Sequence, residues 1–130
     1  MWRLLDTNIV SYFVNQHTLA TTNAPHTVGF DLAIAVQTLG ELLEGGKGAN
    51  WGPARWQRHN DVVQPLLILD ATPVVAEWWA EVRVARRSRP ISVDDAWIAA
   101  TALAYGIELV THNPADFAGI PGLTVISEAP

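Results

Sequence analysis

The sequence predicts an α/β domain with a central, mainly parallel sheet of about four or five strands. Short apolar runs suited to buried strands alternate with longer segments whose apolar residues recur at helical spacing. This alternation is typical of a parallel sheet covered by helices on both faces. The chain has 130 residues, of which 49% are hydrophobic, so we expect one domain, residues 1–130, with a sizeable core.

Each predicted element follows from a local signal. Pro53 suits the first turn of a helix, and Ser92 and Gly106 suit the beginning and end of another. Gly45 and Gly46 predict that the helix before them ends there, as at a glycine C-cap. The predicted strands are residues 2–5, 32–36, 66–69, 108–111 and 123–126. The predicted helices are residues 8–14, 38–46, 53–64, 73–88 and 92–106.

Two further patterns bear on packing. Residues 15–30 lack a clear period and are predicted to be irregular or weakly helical. The chain contains six tryptophans, and those in predicted helices are expected in the core or in an interface between subunits. The helix at 73–88 is predicted to bury one apolar stripe: Val75, Trp78, Trp79 and Val82.

Composition excludes several classes of protein. The chain has no cysteine, so we expect neither disulfides nor a thiolate metal site, which suits the reducing cytoplasm. We expect neither a secretory signal nor a membrane segment, because no apolar stretch approaches the roughly 20 residues that span a bilayer. The net charge of −5 argues against a general nucleic-acid coat protein. It leaves open an enzyme that reaches a phosphodiester through metal ions, because such ions reverse the local field.

Four acidic residues are predicted to meet at one edge of the sheet. Asp6 ends the first strand, Glu41 lies one helical turn past the second, and Asp116 follows the fourth. Asp95 lies in the first turn of the helix that precedes the fourth strand. Ligands of open α/β sheets bind outside the carboxyl ends of the strands. The four carboxylates therefore predict a site for Mg²⁺ or Mn²⁺, which prefer oxygen ligands.

Each acid also has a purely structural interpretation. Asp6 could cap the helix that follows it, and Asp116 could cap a turn. Asp95 follows Ser92 at the spacing of an S-x-x-D capping box, and Glu41 could lie on an exposed helix stripe. Neutral polar residues near the acids are expected to orient them by hydrogen bonds without adding charge: Thr7, Asn8, Thr101 and Asn113.

Half of the eight basic residues lie in the segment "RVARRSR", residues 83–89. One interpretation is a solvated helix end, where positive charge suits the helix dipole. The alternative is a phosphate-binding edge formed by Arg86 and Arg89, because Arg binds phosphate bidentately and Asp95 follows Arg89 by only six residues.

Four sequence blocks carry a family resemblance: "LLDTNIVSYF", "QTLGELLEGG", "PISVDDAWIAATALAYG" and "LVTHNPADFAGIPGLTVI". In this order and spacing, over about residues 3–126, they resemble the PIN domain, and in particular the VapC-type toxins of bacterial toxin–antitoxin pairs. The resemblance implies a PIN-like three-layer α/β/α sandwich that binds Mg²⁺ or Mn²⁺ and hydrolyses RNA with a metal-activated water. It also implies a homodimer that is inhibited by a cognate antitoxin protein.

The acids of the family fall on Asp6, Glu41, Asp95 and Asp116, with Asn113 as the neighbouring polar residue. Asp94 is a rival for the third place; Asp95 is preferred because the family's acid directly precedes the apolar-Ala-Ala-Thr run. Many relatives carry Arg where this chain has a histidine, at position 112, and no role is carried over to residues 15–30. If Trp51 and Trp56 are exposed rather than packed in the core, they would suit an antitoxin groove.

Two other functions fit parts of the sequence. The first is a catalytically inactive PIN-like module that binds RNA or protein, against which the intact acids argue. The second is an aspartyl-phosphate phosphatase, which would want a second Asp two residues after the nucleophile. That position is Asn8, so the metal-dependent ribonuclease is the preferred hypothesis.

Overall fold

The computed structural model describes residues 1–128, in which five strands form one sheet with the order β3-β2-β1-β4-β5. The strands are β1 (Trp2–Leu5), β2 (Asp31–Ala35), β3 (Leu67–Leu69), β4 (Glu108–Val110) and β5 (Val125–Ile126). Every neighbouring pair is parallel, with β1 in the centre between β2 and β4. The predicted parallel α/β architecture is therefore confirmed.

Helices cover both faces of the sheet. They are α1 (Thr7–Val14), α2 (Thr18–Asn23), α3 (Val36–Gly48), α4 (Pro53–Val63), α5 (Pro73–Ala85) and α6 (Val93–Tyr105). Successive strand residues point to opposite faces, so Leu4 packs with α5 and α6 whereas Leu5 packs with α1, α3 and α4. The result is the expected α/β/α sandwich with one apolar core on each side of the sheet. Within residues 1–128, the structure contains no helix that is long and apolar enough to cross a membrane.

The predicted end of α3 is wrong, because the helix continues through both glycines to Gly48. Gly46 is buried, and a Cβ atom at this position would lie 2.6 Å from the Trp51 ring and 2.7 Å from the Trp56 ring. The two indoles pack edge to face, with ring centroids 5.2 Å apart. Gly46 therefore serves a close approach of side chains, and the two half-buried tryptophans pack against the domain itself.

Other boundaries differ by smaller amounts. Residues 15–30 contain α2, whose first turn is capped by the His17 side chain, and a 3₁₀ turn at Ala24–His26. Helix α5 ends at Ala85, three residues before the predicted end. On α5, Trp79 stacks on Trp97 at 5.1 Å, but Trp78, predicted to be buried, is 38% exposed.

Candidate active site

Three of the four predicted acids follow the carboxyl ends of neighbouring strands, and the fourth lies at the beginning of the helix that leads into β4. Asp6 comes directly after β1, and Asp116 lies on a 3₁₀ turn (Pro114–Phe117) after β4. Glu41 lies on α3, which begins where β2 ends, and Asp95 lies in the first turn of α6. Because all strands are parallel, these positions belong to one edge of the sheet, where α/β proteins bind ligands.

Asp6 is the most buried of the four acids, with 6% of its surface exposed. Its Oδ1 atom accepts a hydrogen bond from the Thr7 backbone N–H at 2.8 Å, so Asp6 caps α1 as its structural interpretation predicted. Its Oδ2 atom accepts from the Thr111 hydroxyl at 2.7 Å. Burial raises the pKa of Asp6 to about 6 despite these two hydrogen bonds, and repulsion from Asp95 and Glu41 adds to the rise.

Glu41 is joined to Asp6 through Thr7. The Thr7 hydroxyl lies 2.8 Å from Glu41 Oε1 and 3.0 Å from the Thr38 hydroxyl. Because it has one hydrogen, it can donate to the carboxylate while it accepts from Thr38. Burial raises the pKa of Glu41, the hydrogen bond from Thr7 opposes this, and nearby carboxylates raise it further: Asp94, Asp95 and Glu44.

Asp95 connects the remaining acids. Burial raises its pKa, the Ser92 side chain lowers it by a hydrogen bond, and the charges of Asp116 and Asp94 raise it again. Arg86 is a nearby cation that favours the ionised form. The Ser92 hydroxyl also accepts from the Asp95 backbone N–H at 3.1 Å, so the predicted helix cap is present. The electrostatic interactions of Asp6, Glu41 and Asp95, together with the charge of Asp116, link all four predicted acids.

The first turn of α6 carries both candidates for the third acid. Asp95 is half-buried and interacts with Asp6, whereas Asp94 is exposed and acts on Glu41 and Asp95. Both carboxylates therefore belong to the same acidic neighbourhood. The electrostatic interaction with Asp6 favours Asp95 as the more central of the two.

The chemistry of the donors fits a divalent cation. Within residues 1–128, no three His, Asp or Glu side chains are already close enough together to hold a metal ion. The acids are nevertheless within electrostatic range of one another, and burial and mutual repulsion disfavour the charge on Asp6. A cation among these carboxylates would reverse that penalty. Asn8 Oδ1, two residues after Asp6, is buried and has no hydrogen-bond partner in the described part of the chain. An all-oxygen set of this kind suits Mg²⁺ or Mn²⁺.

The predicted supporting residues divide into two groups. Thr7 contacts Glu41 as described, and the Asn113 backbone N–H donates to the Thr111 hydroxyl at 3.0 Å. The expectation for Thr101 is wrong, because its hydroxyl donates to the Trp97 carbonyl oxygen at 2.7 Å within α6. Thr101 follows Asp95 by six residues, which places the two about 120° apart around the helix.

Two threonines escaped the sequence analysis, Thr38 and Thr111, and both are fully buried. A signal for Thr111 was present, since Leu5 pairs with Val110 and the next residue on each strand is polar. Thr38 precedes Glu41 by three residues, which places the two on one helix face. His112 packs its ring edge to face with Tyr12, with ring centroids 5.8 Å apart.

The two predicted phosphate ligands have different environments. The interpretation as a solvated helix end is wrong for Arg86, whose side chain is 6% exposed and donates hydrogen bonds to three backbone carbonyls. Arg89 is exposed, and one of its nitrogens donates to the Ala115 carbonyl at 2.7 Å. If Arg89 binds a phosphate, it does so through the other N–H groups of its guanidinium.

The fold and the acidic edge define the class of this protein. A sequence model of the PIN domain matches residues 3–123, and the chain belongs to the PIN domain family. It is 35% identical over 105 residues to Ribonuclease VapC4 of Mycobacterium tuberculosis, an alignment that covers 76% of this chain and 78% of that protein.

Solved structures show the same relationship. VapBC2 from Rickettsia felis, bound to a DNA fragment from its promoter, matches with a TM-score of 0.86 at 26% identity over 98% of both chains. A toxin–antitoxin complex from Klebsiella pneumoniae matches with a TM-score of 0.73 at 29% identity over 96% of both chains. The resemblance to VapC-type proteins predicted from the sequence is therefore confirmed.

Proposed function

We propose that this chain is a metal-dependent endoribonuclease that acts as the toxin of a toxin–antitoxin pair. The observation that carries the proposal is the electrostatic coupling of Asp6, Glu41 and Asp95 at the carboxyl edge of the sheet. The named relative is a ribonuclease, and its likeness covers three quarters of this chain. A buried carboxylate with acidic neighbours suits metal-assisted hydrolysis of a phosphodiester bond.

Asp6, Glu41 and Asp95 would hold the principal Mg²⁺ or Mn²⁺, and Asp116 would complete the site directly or through water. When bound, the cation supplies a Lewis acid that lowers the pKa of water and offsets negative charge on the phosphate. The protein fixes the ligands in advance. Thr111 and the α1 backbone hold both oxygens of Asp6, and Thr7 holds Glu41.

Substrate binding involves charges outside the acidic cluster. Arg89 is the candidate phosphate ligand, since its guanidinium is exposed and lies three residues before Ser92, the N-cap of the helix that carries Asp95. A guanidinium presents a planar fork of donors to phosphate oxygens. Its single bond to Ala115 would hold the side chain in place while its other donors contact RNA.

The proposed partners are a cognate antitoxin, an RNA substrate and a second copy of the chain. The solved relatives are described as VapBC assemblies or toxin–antitoxin complexes, which supports an antitoxin for this chain. We place the protein in the cytoplasm, where such a nuclease meets RNA, and we treat residues 1–130 as a single PIN domain.

The test is cleavage of a labelled RNA with Mg²⁺, Mn²⁺ or EDTA. Asp6→Asn, Glu41→Gln and Asp95→Asn should each abolish cleavage. Asp31→Asn is the matched control, because Asp31 is an exposed carboxylate at the opposite edge of the sheet, where β2 begins. Cleavage that survives EDTA or the loss of Asp6 would refute the proposal. Binding of RNA without cleavage under any metal would favour the inactive PIN-like module.

A further inference from the structure

Arg86 is a buried cation whose three hydrogen-bond acceptors come from two separate segments. Its Nε atom donates to the Arg89 carbonyl at 2.8 Å, within the turn that follows α5. Its Nη1 atom donates to the carbonyls of Asp116 at 3.0 Å and Ala118 at 2.9 Å. One guanidinium therefore joins the turn after α5 to the turn that carries Asp116.

Arg89 adds a second connection between the same segments. Its Nη2 atom donates to the Ala115 carbonyl at 2.7 Å. The backbone around Asp116 is thus held at three carbonyls by two arginines that lie only three residues apart. A lysine could not reproduce the Arg86 contacts, because an ammonium is a point charge without the planar, forked arrangement of donors.

Besides the two arginines, the turn that carries Asp116 is anchored by the next residue, Phe117, whose side chain is 2% exposed and packs in the core. The 3₁₀ turn is four residues long, and the backbone hydrogen bonds at its ends include Asp116 N–H to the Asn113 carbonyl at 3.1 Å and Ala118 N–H to the Ala115 carbonyl at 3.4 Å. The Asp116 side chain is exposed. Without external contacts, ordering this carboxylate for a ligand would cost conformational entropy.

The charge of the buried Arg86 side chain lowers the pKa of the nearby Asp95. Burial of a guanidinium is costly unless it is hydrogen-bonded or paired, and among residues 1–128 no carboxylate lies within ion-pair distance of it. The cation instead lies close enough to Asp95 to lower its pKa, whereas Asp116 raises it. Arg86 therefore offsets the mutual repulsion of Asp95 and Asp116, and it is hydrogen-bonded to the turn that carries the second of these acids.

We propose that Arg86, assisted by Arg89, is a positioning residue that clamps the Asp116 turn beside Asp95 and thereby sets the affinity of the acidic site for its divalent cation. The inference rests on the proposed function only for the presence of the cation. The clamp itself consists of hydrogen bonds between this chain's own residues. Replacement of a residue that orients a metal ligand by hydrogen bonds typically changes the metal affinity by about 10- to 100-fold.

Three variants and one control separate the clamp from general stability. Arg86→Met removes all three bonds, Arg86→Lys keeps the charge without the fork, and Arg89→Met removes the bond to Ala115. Arg87→Met is the matched control, since the exposed Arg87 side chain donates, among the described residues, only to the Val84 carbonyl at its own helix end. Should Arg86→Met fail to fold, the milder Arg86→Lys and Arg89→Met variants provide the test.

The first measurement is Mn²⁺ binding to the full chain by calorimetry without RNA. We expect Arg86→Lys to weaken binding by about tenfold, Arg89→Met to weaken it less, and Arg87→Met to leave it unchanged. Asp116→Asn should weaken binding in the parent but should add less than about twofold in the Arg86→Lys background, because effects at coupled positions are not additive. A merely structural role for Arg86 predicts that the two effects multiply.

The second measurement is hydrogen exchange, by NMR, at the Asp116 and Ala118 amides. Exchange should accelerate in Arg86→Lys and Arg89→Met but not in Arg87→Met, while the amides of β1 keep the parent rates. Unchanged exchange together with unchanged Mn²⁺ affinity, or strictly multiplicative effects of Arg86→Lys and Asp116→Asn, would overturn the inference. A parent that binds no Mn²⁺ would refute the proposed function instead, and exchange at the two amides would still decide whether the arginines hold the turn.

Discussion

Replacement of Asp6 by Asn should stabilise the metal-free protein. The amide keeps the shape of the side chain, and Asn is as good a helix cap as Asp, so its oxygen retains the bond from Thr7, while its amide nitrogen replaces the second oxygen and donates to the Thr111 hydroxyl instead of accepting from it. What the substitution removes is a charge that burial and two neighbouring acids disfavour. Although the substitution removes a proposed metal ligand, it should therefore raise the free energy of unfolding when no metal is present.

The magnitude follows from the pKa. The folded value for Asp6 is about 6, against 3.8 for an unperturbed carboxyl group. At about 1.4 kcal/mol per unit, the ionised carboxylate costs about 3 kcal/mol above pH 6. For a chain of this size we expect an increase in Tm on the order of 10 °C.

The raised pKa of Asp6 determines how the stability difference between variant and parent changes with pH. Because the folded pKa is raised, the stability that protonated Asp6 contributes is fully present below pH 3.8 and is lost as the pH rises through about 6. The difference between Asp6→Asn and the parent should therefore grow from pH 4 to pH 6 and then remain constant. Added Mn²⁺ should raise the Tm of the parent more than that of the variant.

Thermal unfolding followed by circular dichroism, in EDTA and at several pH values, measures this difference. Asp31→Asn serves as the control, because that side chain is 63% exposed and lies at the other edge of the sheet. An Asp6→Asn variant that is less stable than the parent at pH 7.5 in EDTA would refute the reasoning. Asp6 would then be a structural cap whose charge the fold needs, and the metal site would lose its central residue.

Three further predictions concern other parts of the chain. Asp95→Ala should abolish RNA cleavage while Asp94→Ala reduces it modestly, and the opposite order in a cleavage assay would exchange their roles. Gly46→Ala should destabilise the fold by about 1–3 kcal/mol through overpacking, whereas Gly45→Ala, which meets nothing within 4 Å, should stabilise it by about 0.5–1 kcal/mol; equal shifts in denaturant midpoint would contradict this. Arg89→Gln should weaken RNA binding and flatten its salt dependence, and an unchanged slope in titrations at two salt concentrations would exclude a phosphate contact.

The sequence predicted most elements because their signals are local. Apolar runs mark the strands, Ser92 begins α6, and Gly106 ends it with the positive φ of 67° that glycine permits. The edge that carries Asp6 and Asp116 follows from topology, since parallel strands align their carboxyl ends. Local pattern and overall fold agree at these positions.

The sequence-based predictions were wrong mainly where residues far apart in the sequence determine the local structure. A glycine pair indicates either a helix end or a close approach, and only the return of two indole rings onto α3 shows that Gly46 serves the second purpose. The burial of Arg86 could not be predicted from a run of charged residues, because two of its three acceptors lie 30 and 32 positions further along the chain. Thr101 was misassigned because a hydroxyl on a helix can bond to the carbonyl four residues before it.

Because β1 lies in the centre of the sheet, the acidic site can assemble only after later segments of the chain have been made. Asp6 is made near the start, but the Thr111 hydroxyl that holds it comes 105 positions later, an interval of roughly 5 to 20 seconds at translation rates of about 5–20 residues per second. Until residues 108–116 have left the ribosome, β1 lacks its neighbour β4, and the nascent chain has neither that hydroxyl nor Asp116. A ribosome that has not yet released residues 108–116 therefore carries no assembled acidic site. The time at which an inhibitor must be present is set by the emergence of β4, not by the start of translation.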